Sequence, residues 1–296
     1  MKFLILGLPL TDDSVSQLRL ARERQPSFLI VWLGSNDVLD MATGTSPAAV
    51  DLTPAAFGTA YRQVLGELGE LGVGMAIANL PDVTQIAALR HAAGEVTQCR
   101  RGDGTLEPVA QTDLLPLDLD PALLPEPPCA RVLDAAERMQ VRATVVAFNA
   151  EIAAAIADLE RVGAAIALVD MFARFDSLAR DGFDVYGDGT LVLTTGYLGG
   201  IFGLDGIHPT RIGHALAANA FIAAIDARFG ENIPQVDVRG VAMSDPLVAN
   251  RFQPVGEPPF GLIQEPAEVL DASFERVEDR VDEIADDLRD ELDDVF

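Results

Sequence analysis

Apolar positions along the chain follow two periods. Phe28-Leu29-Ile30-Val31-Trp32-Leu33 is an unbroken apolar run that empties into Gly34-Ser35-Asn36-Asp37, the pattern of a strand buried on both faces and ending in a loop. Thr53-Pro54 opens a helix, with threonine as N-cap and proline in the first turn, and Phe57, Tyr61, Val64 and Leu68 recur at helical spacing. Val73 to Ala78 predicts the next strand, which ends at Asn79-Leu80-Pro81-Asp82. An alanine-rich helix is predicted from about Ala130 to Arg161, then a strand from Ala164 to Val169 closing on Asp170. Tyr186-Gly187-Asp188-Gly189 followed by Thr190-Leu191-Val192-Leu193 suggests a small β excursion around a glycine turn. Gly206-Ile207-His208-Pro209 leads into a helix from Thr210 to about Arg228.

Strands alternating with helices at these spacings indicate an α/β fold with a parallel, doubly wound sheet. Ligands in such sheets bind beyond the carboxyl ends of the strands, where Asn36 falls and which the His208 loop can reach. The stretch from about Cys99 to Pro128 is rich in proline, leucine and aspartate without a sustained period, and reads as a loop or lid excursion. Its flanking Cys99 and Cys129 are the chain's two cysteines. In an exported protein they can join, stabilising the insertion by roughly 3 kcal/mol; in a reducing cytoplasm they are two free thiols.

Three segments follow from this pattern: an α/β domain over 1–238, a proline- and glycine-spaced linker over 239–266, and an acidic amphipathic helix over 267–296. In the last, Phe274, Val277, Val281, Ile284, Leu288 and Leu292 form a narrow apolar stripe. An isolated helix of this length is marginal in water, so it either docks on its own domain or self-associates with another chain. The 296 residues, 49% hydrophobic, suffice for a sizeable core without metals or disulfides. A formal net charge of -25 argues against nucleic acid as a partner, because an acidic field repels a polyanion. Lys2 is the only lysine, which reads either as coding bias or as solubility in high salt through dense carboxylates. No apolar run approaches the ~20 residues that cross a bilayer. Phe3 to Leu10 is short and lacks a small-residue cleavage site, so it reads as a strand rather than a signal peptide.

Two motifs carry candidate chemistry. In Asp205-Gly206-Ile207-His208-Pro209, the imidazole of His208 suits a general base and Asp205 can hold its other ring nitrogen, while Pro209 stiffens the junction with the following helix. In Gly34-Ser35-Asn36-Asp37, the Asn36 amide at the end of a buried strand can donate to a developing oxyanion, one such donor being worth about 2.7 to 4 kcal/mol. Alone, the first motif is most often a surface pair and the second a strand-ending Asx turn. His91 and His214 lack a carboxylate at a comparable junction, and no histidine or cysteine cluster has metal-ligand spacing, so neither metal nor cofactor is expected.

Taken together and in this order, the two motifs resemble blocks III and V of the SGNH/GDSL hydrolase family. The apolar strand before Gly34, the Asn79-Leu80-Pro81-Asp82-Val83 strand end, the Phe148-Asn149 helix, the Thr194-Thr195-Gly196-Tyr197-Leu198-Gly199-Gly200 approach and the Ala217 to Asn232 helix extend the likeness over roughly residues 15 to 238. The resemblance implies a flavodoxin-like three-layer SGNH fold and hydrolysis of a small-molecule or lipid ester through an acyl-enzyme. It makes His208 the base, Asp205 its orienting acid, and Asn36 an oxyanion donor with Gly34 beside it. It also favours export or the cell envelope.

The pattern breaks at the nucleophile, which the family carries as the serine of a Gly-Asp-Ser-Leu motif at the end of its first strand. No Gly-Asp-Ser and no Gly-x-Ser-x-Gly occurs in the chain. Met1 to Asp13 has three readings: a decayed first block with Pro9 at the serine position, a second block with Gly7 as donor, or a segment after the second block in a chain that lacks its first strand. The last two expose an unpaired sheet edge. Ser35 reads as a local backbone partner and Ser14 and Ser16 as helix caps rather than substitutes. The other reading is therefore a catalytically inactive SGNH-like binding or interaction protein.

Overall fold

A computed structural model of the protein describes residues 17–43, 53–245 and 248. Met1 to Asp13, Ser14, Ser16 and the acidic helix expected over 267–296 lie outside the described residues. Helix α1 (Gln17–Arg24) leads into strand β1 (Phe28–Val31), followed by α2 (Ser35–Thr43) and α3 (Pro54–Gly69). Thr53 caps α3 as its sequence predicts, its side chain accepting the Ala56 N–H at 3.2 Å with Pro54 in the first turn. Strand β2 (Gly74–Ala78) and a 3-10 turn at Val83–Gln85 precede four short strands: β3 (Leu89–His91), β4 (Gln98–Arg100), β5 (Leu106–Pro108) and β6 (Leu114–Pro116). Helix α4 (Ala135–Arg161), β7 (Ile166–Val169), α5 (Met171–Asp181), the pair β8 (Phe183–Asp184) and β9 (Val192–Leu193), α6 (Arg211–Phe229) and α7 (Val238–Met243) complete the order. The compact unit extends to Asp245, and α7 falls where the sequence pattern begins its linker.

Strands β1, β2 and β7 pair in parallel in that order, with Phe28 opposite Gly74 and Met75 opposite Ile166. Alternation along the strands sends the two sets of side chains to opposite faces. On one face the small residues Ala76, Ala78 and Ala167 cluster with Phe221 and Ile225 of α6, and Ala217, Ala220 and Ala224 close the contact. On the other, Leu29 and Val31 line a cavity of about 300 Å³ with Val64 and Leu68 of α3. The sheet thus lies between two helical layers, the three-layer SGNH-like arrangement. Helix α6 runs antiparallel to β1: its end meets the start of the strand through Phe229 and Phe28 (5.4 Å between ring centroids), and Phe221 meets the strand exit through Trp32 (6.0 Å). The start of α6, and the His208 loop ahead of it, therefore sit at the carboxyl end of the sheet.

The region between the cysteines is more ordered than its composition suggests. Antiparallel pairs β3–β6 and β4–β5 frame it, and Ala92, Val96, Cys99, Leu115, Leu119 and Val132 form a small core of their own. Strands of three residues are too short to display an alternation, and Pro108 and Pro116, each at a strand end, read in sequence as breakers. Cys99 and Cys129 are joined in a disulfide with their Cα atoms 4.9 Å apart, across a separation of 30 residues. Replacing both cysteines by alanine is expected to lower unfolding stability by about 3 kcal/mol through loop-closure entropy, read as a lower urea midpoint and faster amide exchange in β4 and β5. Helix α4 starts at Ala135 rather than near Ala130, because Asp134 and Glu137 form a reciprocal capping box and Cys129–Arg131 is a separate 3-10 turn.

Candidate active site

Gly34 is where the exit of β1 is shaped. Its φ is +115°, and a Cβ there would meet Leu80 Cδ2 and Phe57 Cε2 at 3.0 Å, so both backbone conformation and space require glycine. The Gly34 carbonyl accepts the Asp37 N–H at 3.2 Å, and the chain turns at once into α2. Asn36 is therefore an exposed residue of the first turn of a helix, not part of the Asx-turn loop that the motif alone suggests. Both side chains that confine Gly34 are held by α4. Phe148 stacks on Phe57 with centroids 4.1 Å apart, and the Asn149 amide accepts the Leu80 N–H (2.7 Å) while donating to the Leu80 carbonyl (2.9 Å). Asn79 donates to Asp170 at 2.8 Å and accepts the Phe172 N–H at 2.8 Å, tying the exits of β2 and β7 together.

The second motif is a preformed loop. One oxygen of Asp205 accepts the Ile207 and His208 N–H groups at 2.9 and 3.0 Å, and the other lies 2.6 Å from His208 Nδ1. The Nδ1–H bond to His208, reinforced by those two amides, holds the Asp205 carboxyl at a pKa of about 2. An ionised carboxylate only accepts, so Nδ1 carries the hydrogen and Nε2 is left as the basic nitrogen. The His208 side chain is 81% exposed, so the ring is open to a substrate at the rim rather than packed in hydrocarbon. Gly206, at φ +69°, gives its carbonyl to the Ala88 N–H at 2.8 Å and lies too close to Ala88 to carry a Cβ. Thr210 then caps α6 through the Gly213 N–H and donates to the Gly200 carbonyl at 2.8 Å, fixing the loop's far end.

A carboxyl whose folded pKa is depressed contributes stability above its ordinary value near 3.9 and loses it as pH falls through the folded one. Asp205 is accordingly expected to titrate near pH 2 by carboxyl-carbon NMR. In His208→Ala the midpoint rises, because the largest of its stabilising bonds is gone; an unmoved midpoint would disprove the Nδ1 bond.

The Asn36 and His208 motifs share a support. Helix α2 packs on the Val83–Gln85 turn, and Ala88, just beyond that turn, holds Gly206. Helix α2 and the His208 loop therefore both contact the segment that leaves β2 at the carboxyl end of the sheet. Four serines fall among the described residues. Ser35 begins α2, Ser27 precedes β1 at the sheet's opposite end, Ser177 lies 3.5 Å from Asp181, and Ser244 donates to the Val241 carbonyl. His91 Nδ1 contacts the Thr112 carbonyl at 3.1 Å, and His214 lies within α6. Cys99, Glu107 and Cys129 bring ligand-type atoms within 4.8 Å of one another, but the two sulfurs are bonded together and Glu107 pairs with Arg101 at 2.5 Å.

A parallel α/β sheet between helices, with an imidazole–carboxylate pair at its carboxyl rim, defines an SGNH-type domain. The family model described as GDSL-like Lipase/Acylhydrolase matches residues 8–221, and the chain belongs to that family. Its function is accordingly of the hydrolase class that comprises lipases and esterases, with a small-molecule ester as the kind of substrate. Neither the curated proteins nor the solved structures gave a match. Among the described residues no helix is long and apolar enough to cross a membrane.

Proposed function

We propose that this chain carries the base, the orienting acid and an oxyanion donor of a serine ester hydrolase. His208 Nε2 takes the proton of the attacking serine hydroxyl as Oγ bonds to the ester carbonyl carbon, and returns it to the departing alcohol. Asp205 stabilises the imidazolium formed in between, and the Asn36 amide, seated by Gly34, donates to the carbonyl oxygen as it becomes an oxyanion. The observation that carries this reading is the 2.6 Å contact between Asp205 and His208 Nδ1 on an exposed loop, with Nε2 left as the base.

The nucleophile in this reading is a serine on a strand seated beside β1. Supporting it, the side of β1 away from β2 has no partner strand among the described residues, and Ile30 in that strand is 63% exposed. The absence of any Gly-Asp-Ser from the 296 residues favours a second reading, an inactive SGNH-like protein that binds an acyl or glycan ligand or associates through its acidic C-terminal segment. The genomic sequence upstream of the first codon separates the two. An in-frame Gly-Asp-Ser-Leu, and p-nitrophenyl ester turnover by the protein extended to include it, supports the hydrolase. An immediate stop, with no turnover above the buffer rate, supports the binding protein.

A further inference from the structure

An open groove of about 920 Å³ lies between β3, the first turns of α4, α5 and residues 195–197. Its walls carry Arg90, Arg138, Arg142 and Arg180, a local concentration of positive charge in a chain of net charge -25. Three of the four are neutralised. Arg142 pairs with Asp82 and Asp176, Arg90 with Glu95 at 2.6 Å, and Arg180 with Asp181 at 3.0 Å. Arg138 is the exception: its Nε is buried with no hydrogen-bond partner, and its guanidinium makes no ion pair among the described residues.

Burial of Nε holds the guanidinium in place, and the planar group can still offer its terminal N–H groups to a carboxylate. Leu89, Leu114, Met139 and Tyr197 line the same groove, and Met139 and Tyr197 are exposed there as large apolar surfaces. The two carboxylates in the wall, Asp82 and Asp176, are engaged by Arg142 and leave Arg138 unmatched. One cation without an ion pair among the described residues, beside apolar walls, suits one negative charge with a hydrocarbon tail; a dianion would meet the acidic field with its second charge uncompensated.

We propose that this groove binds a monoanionic organic carboxylate with an apolar tail, its carboxylate on Arg138 and its tail along Met139 and Tyr197. None of residues 205–208 lines the groove, and the proposal does not rest on the hydrolase reading. Titration of octanoate into the full chain by calorimetry tests it, with acetate and inorganic phosphate as comparison ligands. Saturable octanoate binding is expected, weakened at least tenfold in Arg138→Gln, less so in Arg138→Lys, and unchanged in Arg174→Gln, which alters an exposed arginine outside the groove. His208→Ala is expected to bind as the parent does. The thermal midpoint of Arg138→Gln serves as the folding control, and Met139→Ala, a change on the surface of α4, is expected to weaken octanoate while sparing acetate. Absence of saturable octanoate binding, binding indifferent to Arg138→Gln in a folded variant, or acetate or phosphate binding as tightly as octanoate would each overturn the proposal.

Discussion

Under the proposed hydrolase reading, ester turnover by the protein extended to include the nucleophilic serine is expected to fall by about 10²- to 10⁴-fold when His208 is replaced by alanine, the range that a positioned general base contributes. The residue is exposed and its ring hydrogen-bonds Asp205, so the substitution removes a base without opening a cavity. Circular dichroism should be unchanged, and the thermal midpoint should fall only slightly, by loss of the bond that lowers the Asp205 pKa. Asp205→Asn is a subtler lesion. It keeps the shape but replaces a pure acceptor with a group that can donate, so Nδ1 can become the acceptor and Nε2 the protonated nitrogen. Turnover should fall here too, and by a comparable factor, because a base with its hydrogen on the wrong side is no base. Measured with p-nitrophenyl butyrate, unaltered turnover in His208→Ala would remove the histidine from the mechanism.

Arg142→Ala is expected to destabilise the fold by about 1 to 3 kcal/mol, the cost of leaving a buried acceptor short of one partner, since Asp82 is buried while Arg142 itself is partly exposed. Asp82 is 1% exposed, and its other partners are the N–H and hydroxyl of Thr84 at 3.0 and 2.7 Å. Arg142 links this carboxylate to Asp176, which also accepts from Gln85 at 3.0 Å, and lies 4.8 Å over the Phe172 ring. The bond from Arg142 is the largest cause holding the Asp176 carboxyl below its ordinary pKa. That contribution is complete above the ordinary carboxylate value and disappears as pH falls through the depressed one. The gap between parent and variant in urea unfolding should therefore narrow in acid. Arg142→Ala combined with Asp82→Ala should recover much of the loss, since no buried charge then remains; a double variant as unstable as the sum of its parts would show that the pair is not coupled.

Much of the rim was legible in the sequence because its signals are local. The apolar run before Gly34, the Thr53-Pro54 cap and the Asp205 to Pro209 loop each depend on neighbours within a few residues, and each element is present where its pattern placed it, though β1 is not buried on both faces as the run suggests, since Ile30 is exposed. What was not legible depends on distance or on size. Asn149 reaches Leu80 across 69 residues and Arg142 reaches Asp82 across 60, so neither motif reveals its partner. The insertion hid its strands because each has only three residues. Gly-Ser-Asn-Asp satisfies the statistics of a turn, whereas the chain enters α2 directly at Ser35, which places Asn36 in its first turn. Arg138 could not have been singled out at all, since being unpaired is a property of the folded surroundings.

Ala76, Ala78 and Ala167 let α6 settle deep onto the sheet, with alanines of its own facing them. A helix seated on such small residues behaves as a lever resting on a thin shim. Thickening the shim by two methyl groups, as Ala167→Val would do, lifts the rod at one point and swings its tip, where Thr210 and then His208 are attached. The aim of the imidazole is thus adjustable from deep in the interior, by residues that never meet solvent or substrate.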